Sequence, residues 1–298
     1  MLSLRGYFGC LLAILALGVS LAAQPSADSA LDARVRAEIA QFPGKVSLFA
    51  KNLDSGVNYG FGADDLVRTA STIKVPVMIE AFAKVAAGRV QWTDKVLLTD
   101  AKKISGSGVL QELSDGLQLG LRDAVTLMIV LSDNTATNLV LDVLTTDAVN
   151  ARMEGLGLTQ TRILRKVGGG GVSKAGENAA NARFGLGVAT PREMVLLLEK
   201  LERGDVVSRE ASTEMIKLLK RQQDHEGIGR TLKGVEMATK PGALDRLRSD
   251  VGILYTRRGR IAMAITCDEM PDVDWTVDNP GYLLLSRLSI ILADGLSN

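Results

Sequence analysis

The sequence predicts an α+β fold: a five-stranded antiparallel sheet flanked by terminal helices, with an all-helical subdomain inserted between strands two and three. Three observations predict it. Two strand patterns lie near the amino end and three near the carboxyl end. Helical patterns fill the middle and both termini, and no repeat or linker divides the chain. Strands so far apart in sequence, with helices between them, are layered most economically as one sheet under helices.

Taken in order, residues 29–42 carry apolar residues at helical spacing after a Ser/Asp-rich start, which predicts a helix. Residues 45–52 alternate like a strand, and Asp54-Ser55-Gly56 turns the chain into a second strand at 57–61. Residues 71–87 are apolar on almost every side, the sign of a buried helix, with Pro76 tightening or kinking its first turn. Further helices are expected at 122–131, 136–144, 146–155, 191–202 and 208–219, Pro191 being a good first helical residue. Residues 168–189 open with four glycines and lack periodicity, so a long surface loop is expected. Strands follow at 235–240, 250–257 and 260–267, the last two joined by Arg258-Gly259 as a tight hairpin, and a helix closes the chain at 280–296. The expected division is a signal peptide at 1–23 and one catalytic unit at 24–298, its sheet lobe about 24–66 and 203–298, its helical lobe about 67–202.

Residues 1–23 place Arg5 before an apolar run that ends in small residues around Ser20-Leu21-Ala22 and Ala23. That order is that of a secretory signal, with an uncleaved anchor as the alternative. A periplasmic or secreted protein is expected, with no stable membrane anchor after cleavage. With 298 residues, 46% of them apolar, the chain can bury a large core. Its 35 basic and 34 acidic residues give no support for a nucleic-acid partner. The single histidine, His225, excludes zinc sites built on two or three histidines. The two cysteines, Cys10 and Cys267, exclude CxxC and four-cysteine sites. A monomer with no cofactor and no metal is expected, its chemistry drawn from hydroxyls, amines and carboxylates.

Three short motifs hold such groups. Ser71-Thr72-Ile73-Lys74 puts a hydroxyl and an amine on one helical face, where a lysine disfavoured as a cation can act as a base. Taken alone, it is equally a serine cap beside a solvated lysine. Ser132-Asp133-Asn134 follows an apolar helix, with Asn138 beyond it, and alone also reads as a helix break and N-cap. Lys240-Pro241-Gly242 ends a predicted strand, where lysine is usually a solvated surface residue.

Together and in this order, SxxK, SDN and K-x-G form the signature set of class A β-lactamases and penicillin-binding proteins. The segments TASTIKVPVM and LSDNTATN resemble that family closely, and the resemblance covers residues 24–298. It implies the β-lactamase/transpeptidase-like version of the predicted fold, and a β-lactam or peptidoglycan-peptide substrate. It also implies that Ser71 attacks the carbonyl, with Lys74 as its base, alone or with a carboxylate acting through water. Ser132 would relay a proton to the leaving nitrogen, and Lys240 would set positive charge beside it. Asn134 would bind the acyl amide, and Gly242 would complete the K-x-G strand. Backbone N–H groups of Ser71 and Ala243 would form the oxyanion hole.

The family deacylates with a loop glutamate and an asparagine four positions later, a spacing that Glu177 and Asn181 reproduce. Glu177 is also the only Asp or Glu between Glu154 and Glu193. The loop departs from the family in its glycines and in lacking the acid that pairs with a basic residue to clamp it. Pro241 replaces a Thr or Ser hydroxyl, and Ser105-Gly106-Ser107-Gly108 stands where an aromatic wall is common. Arg246 and Arg248 are candidates to bind a substrate carboxylate, against a solvated hairpin, and His225 is expected to be exposed. The expected function is β-lactam hydrolysis through a Ser71 acyl-enzyme deacylated with Glu177. The alternatives are a D-alanyl-D-alanine peptidase or other peptidoglycan hydrolase, and a catalytically silent wall-binding or sensor protein.

Overall fold

A computed structural model describes residues 27–297, so the expected signal segment and Cys10 lie outside the described residues. The chain runs through α1 (Ala27–Ile39), β1 (Lys45–Asn52), β2 (Asn58–Phe61) and β3 (Val67–Arg68) to a 3-10 turn at Ala70–Ile73. It continues through α2 (Lys74–Ala86), β4 (Lys95–Leu97), β5 (Gln118–Gly120), α3 (Leu121–Val130), α4 (Asn134–Leu144) and α5 (Thr146–Gly155). After β6 (Arg162–Ile163), α6 (Lys174–Glu177) and β7 (Gly187–Ala189) come α7 (Pro191–Arg203) and α8 (Arg209–Leu219). The chain ends with β8 (Glu236–Leu244), β9 (Leu247–Thr256), β10 (Gly259–Asp268) and α9 (Pro280–Gly295).

The predicted sheet is present, five-stranded and antiparallel, in the order β2-β1-β10-β9-β8. Its two faces follow from the alternation of side chains along each strand. On β10, Ile261, Met263 and Ile265 face a core shared with Val35 of α1 and Leu288 of α9. Ala262 and Ala264 face the other way, into the core that holds α7 and the helical subdomain. Those small residues let α7 pack directly on β1, β9 and β10, so this helix covers the sheet although the expected lobe boundary put it with the helical insertion. At the centre of the helical part, Val75, Val77, Met78, Ile79 and Ala81 of α2 are fully buried, surrounded by α3, α4, α5 and α8.

Four local expectations change. Residues 71–87 begin as a 3-10 turn before the α-helix starts at Lys74. The segment 168–189 holds α6, a second 3-10 turn at Ala179–Phe184 and β7, which pairs with β3 and β6. Thr256 pairs with Gly259, so the hairpin turn is Arg257-Arg258 rather than Arg258-Gly259. Lys240-Pro241-Gly242 lies inside β8, which continues to Leu244. Proline is tolerated there because β8 is the edge of the sheet, with one side of its backbone unpaired.

Asp133 fixes the junction where the helical part meets the sheet. Its carboxylate accepts the Ala136 N–H at 2.8 Å, capping α4, and the N–H groups of Val109 and Leu110 at 2.7 and 2.9 Å. The N-cap reading of Asp133 therefore holds, with the same side chain also tying down the bend at Val109 and the 3-10 turn that starts at Leu110. Replacing it strands three donors, two of them beyond the cap itself. Asp133→Ala is expected to lower unfolding stability by about 3 kcal/mol in urea titration. A loss within the ordinary capping range would show that the 105–110 segment is held by other contacts.

Candidate active site

The 3-10 turn at Ala70–Ile73 delivers Ser71 to the edge of the sheet. Ala70 carries φ of +46°, a left-handed conformation unusual for a residue with a Cβ, held by the packed turn on either side. The turn rests on β8 at Gly242, where an added Cβ would lie 2.9 Å from both the Ser71 nitrogen and the Thr69 oxygen. Only glycine allows that approach, which sets Ser71 beside the strand bearing Lys240 and Ala243.

Lys74 opens α2 fully buried. Its Nζ donates to the Ser132 carbonyl at 2.6 Å and to Asn134 Oδ1 at 3.0 Å, and lies 3.2 Å from Ser132 Oγ. Lys240, also fully buried, donates to the same Ser132 Oγ at 2.9 Å and to the Pro241 carbonyl at 2.8 Å. Ser132 itself has φ of +55°, a second strained residue at the point where two amines meet one hydroxyl. The structure thus brings together Ser71, Lys74, Ser132, Asn134, Lys240, Gly242 and Ala243 from three separate segments.

Burial sets the electrostatics. Desolvation pushes Lys74 well below the ordinary lysine value, and the Lys240 charge pushes the same way, while Asp133 opposes them. Desolvation also brings Lys240 down to about 8, with Asp250 and Asp224 holding it from falling further. Asp250, across the ladder from Pro241 and fully buried, is driven up to about 7 by the same loss of water. A neutral Lys74 has a lone pair to accept a proton, and a Ser132 hydroxyl that accepts from Lys240 can donate its own hydrogen toward that lone pair.

Ser71, Ser132, Asn134 and Ala243 open into one cavity of about 550 Å³. Pro241 and Gly242 form its floor along β8, and Gly106 and Ser107 face it from the segment held by Asp133. Trp275, 61% exposed, supplies an aromatic wall that the 105–108 segment does not. Arg248 is fully buried: its guanidinium donates to the carbonyls of Leu244, Leu247 and Asp274 and lies against the Trp275 and Tyr282 rings. It is neither a solvated hairpin residue nor among the residues facing the cavity, and Arg246 is exposed beside it. His225 is exposed, as expected.

Glu177 and Asn181 are the expectation that the geometry does not meet. Glu177 is exposed and does not face the cavity, and the Asn181 side chain donates to the Ala175 carbonyl within its own loop. The cause is the path of the chain. Four successive glycines at positive φ, Gly168 to Gly171, reverse it, and Lys166 N–H closes the turn on the Gly170 carbonyl at 3.0 Å. The following residues then bind the start of α5: Thr146 Oγ1 donates to the Gly171 carbonyl and Lys174 N–H to Asp147. From this stretch Val167 lines the cavity, together with Leu186, and its backbone is clamped on both sides by Asn138, Nδ2 to its carbonyl and Oδ1 from its N–H, each at 3.0 Å. Leu186, Asp224, Trp275 and Tyr282 also line the cavity and carry no local sequence signal. Asn138, four residues beyond Asn134, is the one clue that could have pointed to Val167.

Among the described residues no cluster of three or more His, Cys, Asp or Glu is arranged to hold a metal, and no helix is long and apolar enough to cross a membrane. The sequence matches the β-lactamase enzyme family over residues 30–296. No curated protein matches. A β-lactamase from Sphaerobacter thermophilus is 32% identical, with 89% of this chain and 96% of that one aligned at a TM-score of 0.77. PBP-A shares the fold at 24% identity, covering 89% of this chain and 95% of its own, TM-score 0.78. A class A β-lactamase from Mycobacterium abscessus does so at 18%, covering 90% and 100%, TM-score 0.78. With a family match spanning nearly every described residue, and a serine held by two buried lysines at the edge of a cavity, the chain belongs to the β-lactamase enzyme family as a serine β-lactamase-like hydrolase.

Proposed function

We propose that Ser71 opens β-lactam amides to form an acyl-enzyme, and that this intermediate is long-lived because Glu177, the only carboxylate of the 168–189 stretch, does not face the cavity. The observation that carries the first half is the Ser132 hydroxyl held between Lys74 and Lys240 beside Ser71. Ser71 Oγ attacks the carbonyl carbon and its proton passes to neutral Lys74. The oxyanion is stabilised by the N–H groups of Ser71 and Ala243. As the C–N bond breaks, the proton leaves Lys74 through Ser132 Oγ to the leaving nitrogen, while Lys240 steadies negative charge on the substrate. A mutant of PBP-A, on the same fold, forms an acyl-enzyme complex with penicillin G.

The second half follows from Val167 and Glu177. Val167 and Leu186 line the cavity with apolar side chains, and Glu177, the only carboxylate of the 168–189 stretch, is exposed outside it. Deacylation then lacks the loop glutamate of a fast lactamase, which favours the alternative of a peptidoglycan-acting or penicillin-binding protein. The signal-like pattern of residues 1–23 supports action outside the cytoplasm.

Incubation with a chromogenic cephalosporin, followed by colour and intact mass, tests this directly. A Ser71 adduct that accumulates and decays slowly is expected, and Glu177→Ala should leave its lifetime unchanged. Val167→Glu should shorten that lifetime at least tenfold by placing a base beside the ester. Rapid turnover abolished by Glu177→Ala would overturn the reading of the loop, and absence of any adduct would overturn the covalent mechanism.

The acylation rate should also fall as pH rises through about 8, where Lys240 loses its proton and its charge. The sign is fixed by the cation being the working form of Lys240. A rate still rising through pH 10 would show that Lys240 keeps its proton or that its charge is irrelevant.

A further inference from the structure

The catalytic cavity does not end at Trp275. A second cavity of about 390 Å³ adjoins it, with Val167, Leu186, Leu244 and Trp275 lining both. Three arginines line this extension, Arg68, Arg165 and Arg183, against one carboxylate, Asp245. Arg68 is paired with Asp268. Arg165 and Arg183 have no carboxylate partner among the described residues: Arg165 donates one Nη1 hydrogen bond to the Lys166 carbonyl at 3.2 Å, and Arg183 lies over the Phe184 ring at 4.6 Å. Both guanidiniums therefore keep donors available in a concave, partly apolar setting, the chemistry that selects carboxylates.

We infer that this extension is an acyl-side subsite for a carboxylate, so that the preferred acyl donors carry an acidic group beyond the amide that Asn134 holds. The inference rests on the acyl-enzyme reading above. Val167 and Leu186 lie between the reacting centre and the two arginines, lining both cavities, and Trp275 offers an apolar face to each. Asp245 opposes the anion from the turn between β8 and β9 and sets a limit on the selectivity.

Two penicillins built on 6-aminopenicillanic acid test it, one acylated with glutarate and one with the terminal amide of glutarate. Second-order rates of Ser71 acylation are measured by intact mass. The carboxylate probe should react about tenfold faster than the amide, the size of one charge-assisted hydrogen bond at a solvated site. The ratio should shrink with added salt. It should approach one in the Arg165→Gln/Arg183→Gln variant, fall below one in Arg183→Glu, and widen in Asp245→Asn. A general loosening of the loop slows both probes and leaves the ratio in place, so the ratio isolates the charge effect. Equal rates in the wild type, or a preference that survives loss of both arginines, would overturn the subsite while leaving the Ser71 acyl-enzyme intact. Failure of both probes to label Ser71 would overturn the acyl-enzyme reading, and the subsite with it.

Discussion

One hydroxyl held between two buried amines is the constraint on which the rest of this site depends. Two cations cannot share a dry pocket at low cost, so burial and mutual repulsion drive Lys74 toward its neutral form. Ser132 then links the two nitrogens, at 3.2 Å from Lys74 and 2.9 Å from Lys240, and gives a proton a path between the nucleophile side and the leaving-group side. Much of the architecture serves to hold this contact. The strained backbone of Ala70 and Ser132, the bare Gly242 and the triple cap by Asp133 fix the positions of its members.

The same cavity shows how the loop before β7 is placed. Asn138 holds the Val167 backbone on both sides, so an apolar side chain is fixed in the cavity wall that Ser71 also lines. In the reading proposed above, the backbone supplies the wall and the side chain decides whether water is activated. The glycine turn after Val167, tied to the start of α5 through Thr146 and Asp147, carries Glu177 to the outside.

The sheet and most helices were legible because their signals are local and periodic. β1 and α5 match their expected limits, since alternation and a capping threonine mark both ends. The meeting of the three candidate motifs was legible because their residue types and order mark segments that must come together. Glu177 and Asn181 were not, because a four-residue spacing says nothing about which way a loop faces. That direction is set by hydrogen bonds to α5 and by the run of positive-φ glycines, contacts distant in sequence. Lys240 looked like a strand-end surface lysine, yet the strand runs on to Leu244 and the residue is fully buried. Trp275, Asp224 and Tyr282 enter the cavity from the carboxyl-terminal third by packing alone, with no pattern of their own.

The central claim is that burial and the neighbouring charge keep Lys74 ready to accept a proton. Its side-chain titration, followed by NMR on selectively labelled lysine, tests this most directly. The account predicts a midpoint well below the ordinary lysine value of 10.5, moving upward in Lys240→Ala when the repelling charge is removed. A midpoint near 10.5 that Lys240→Ala does not move would contradict it.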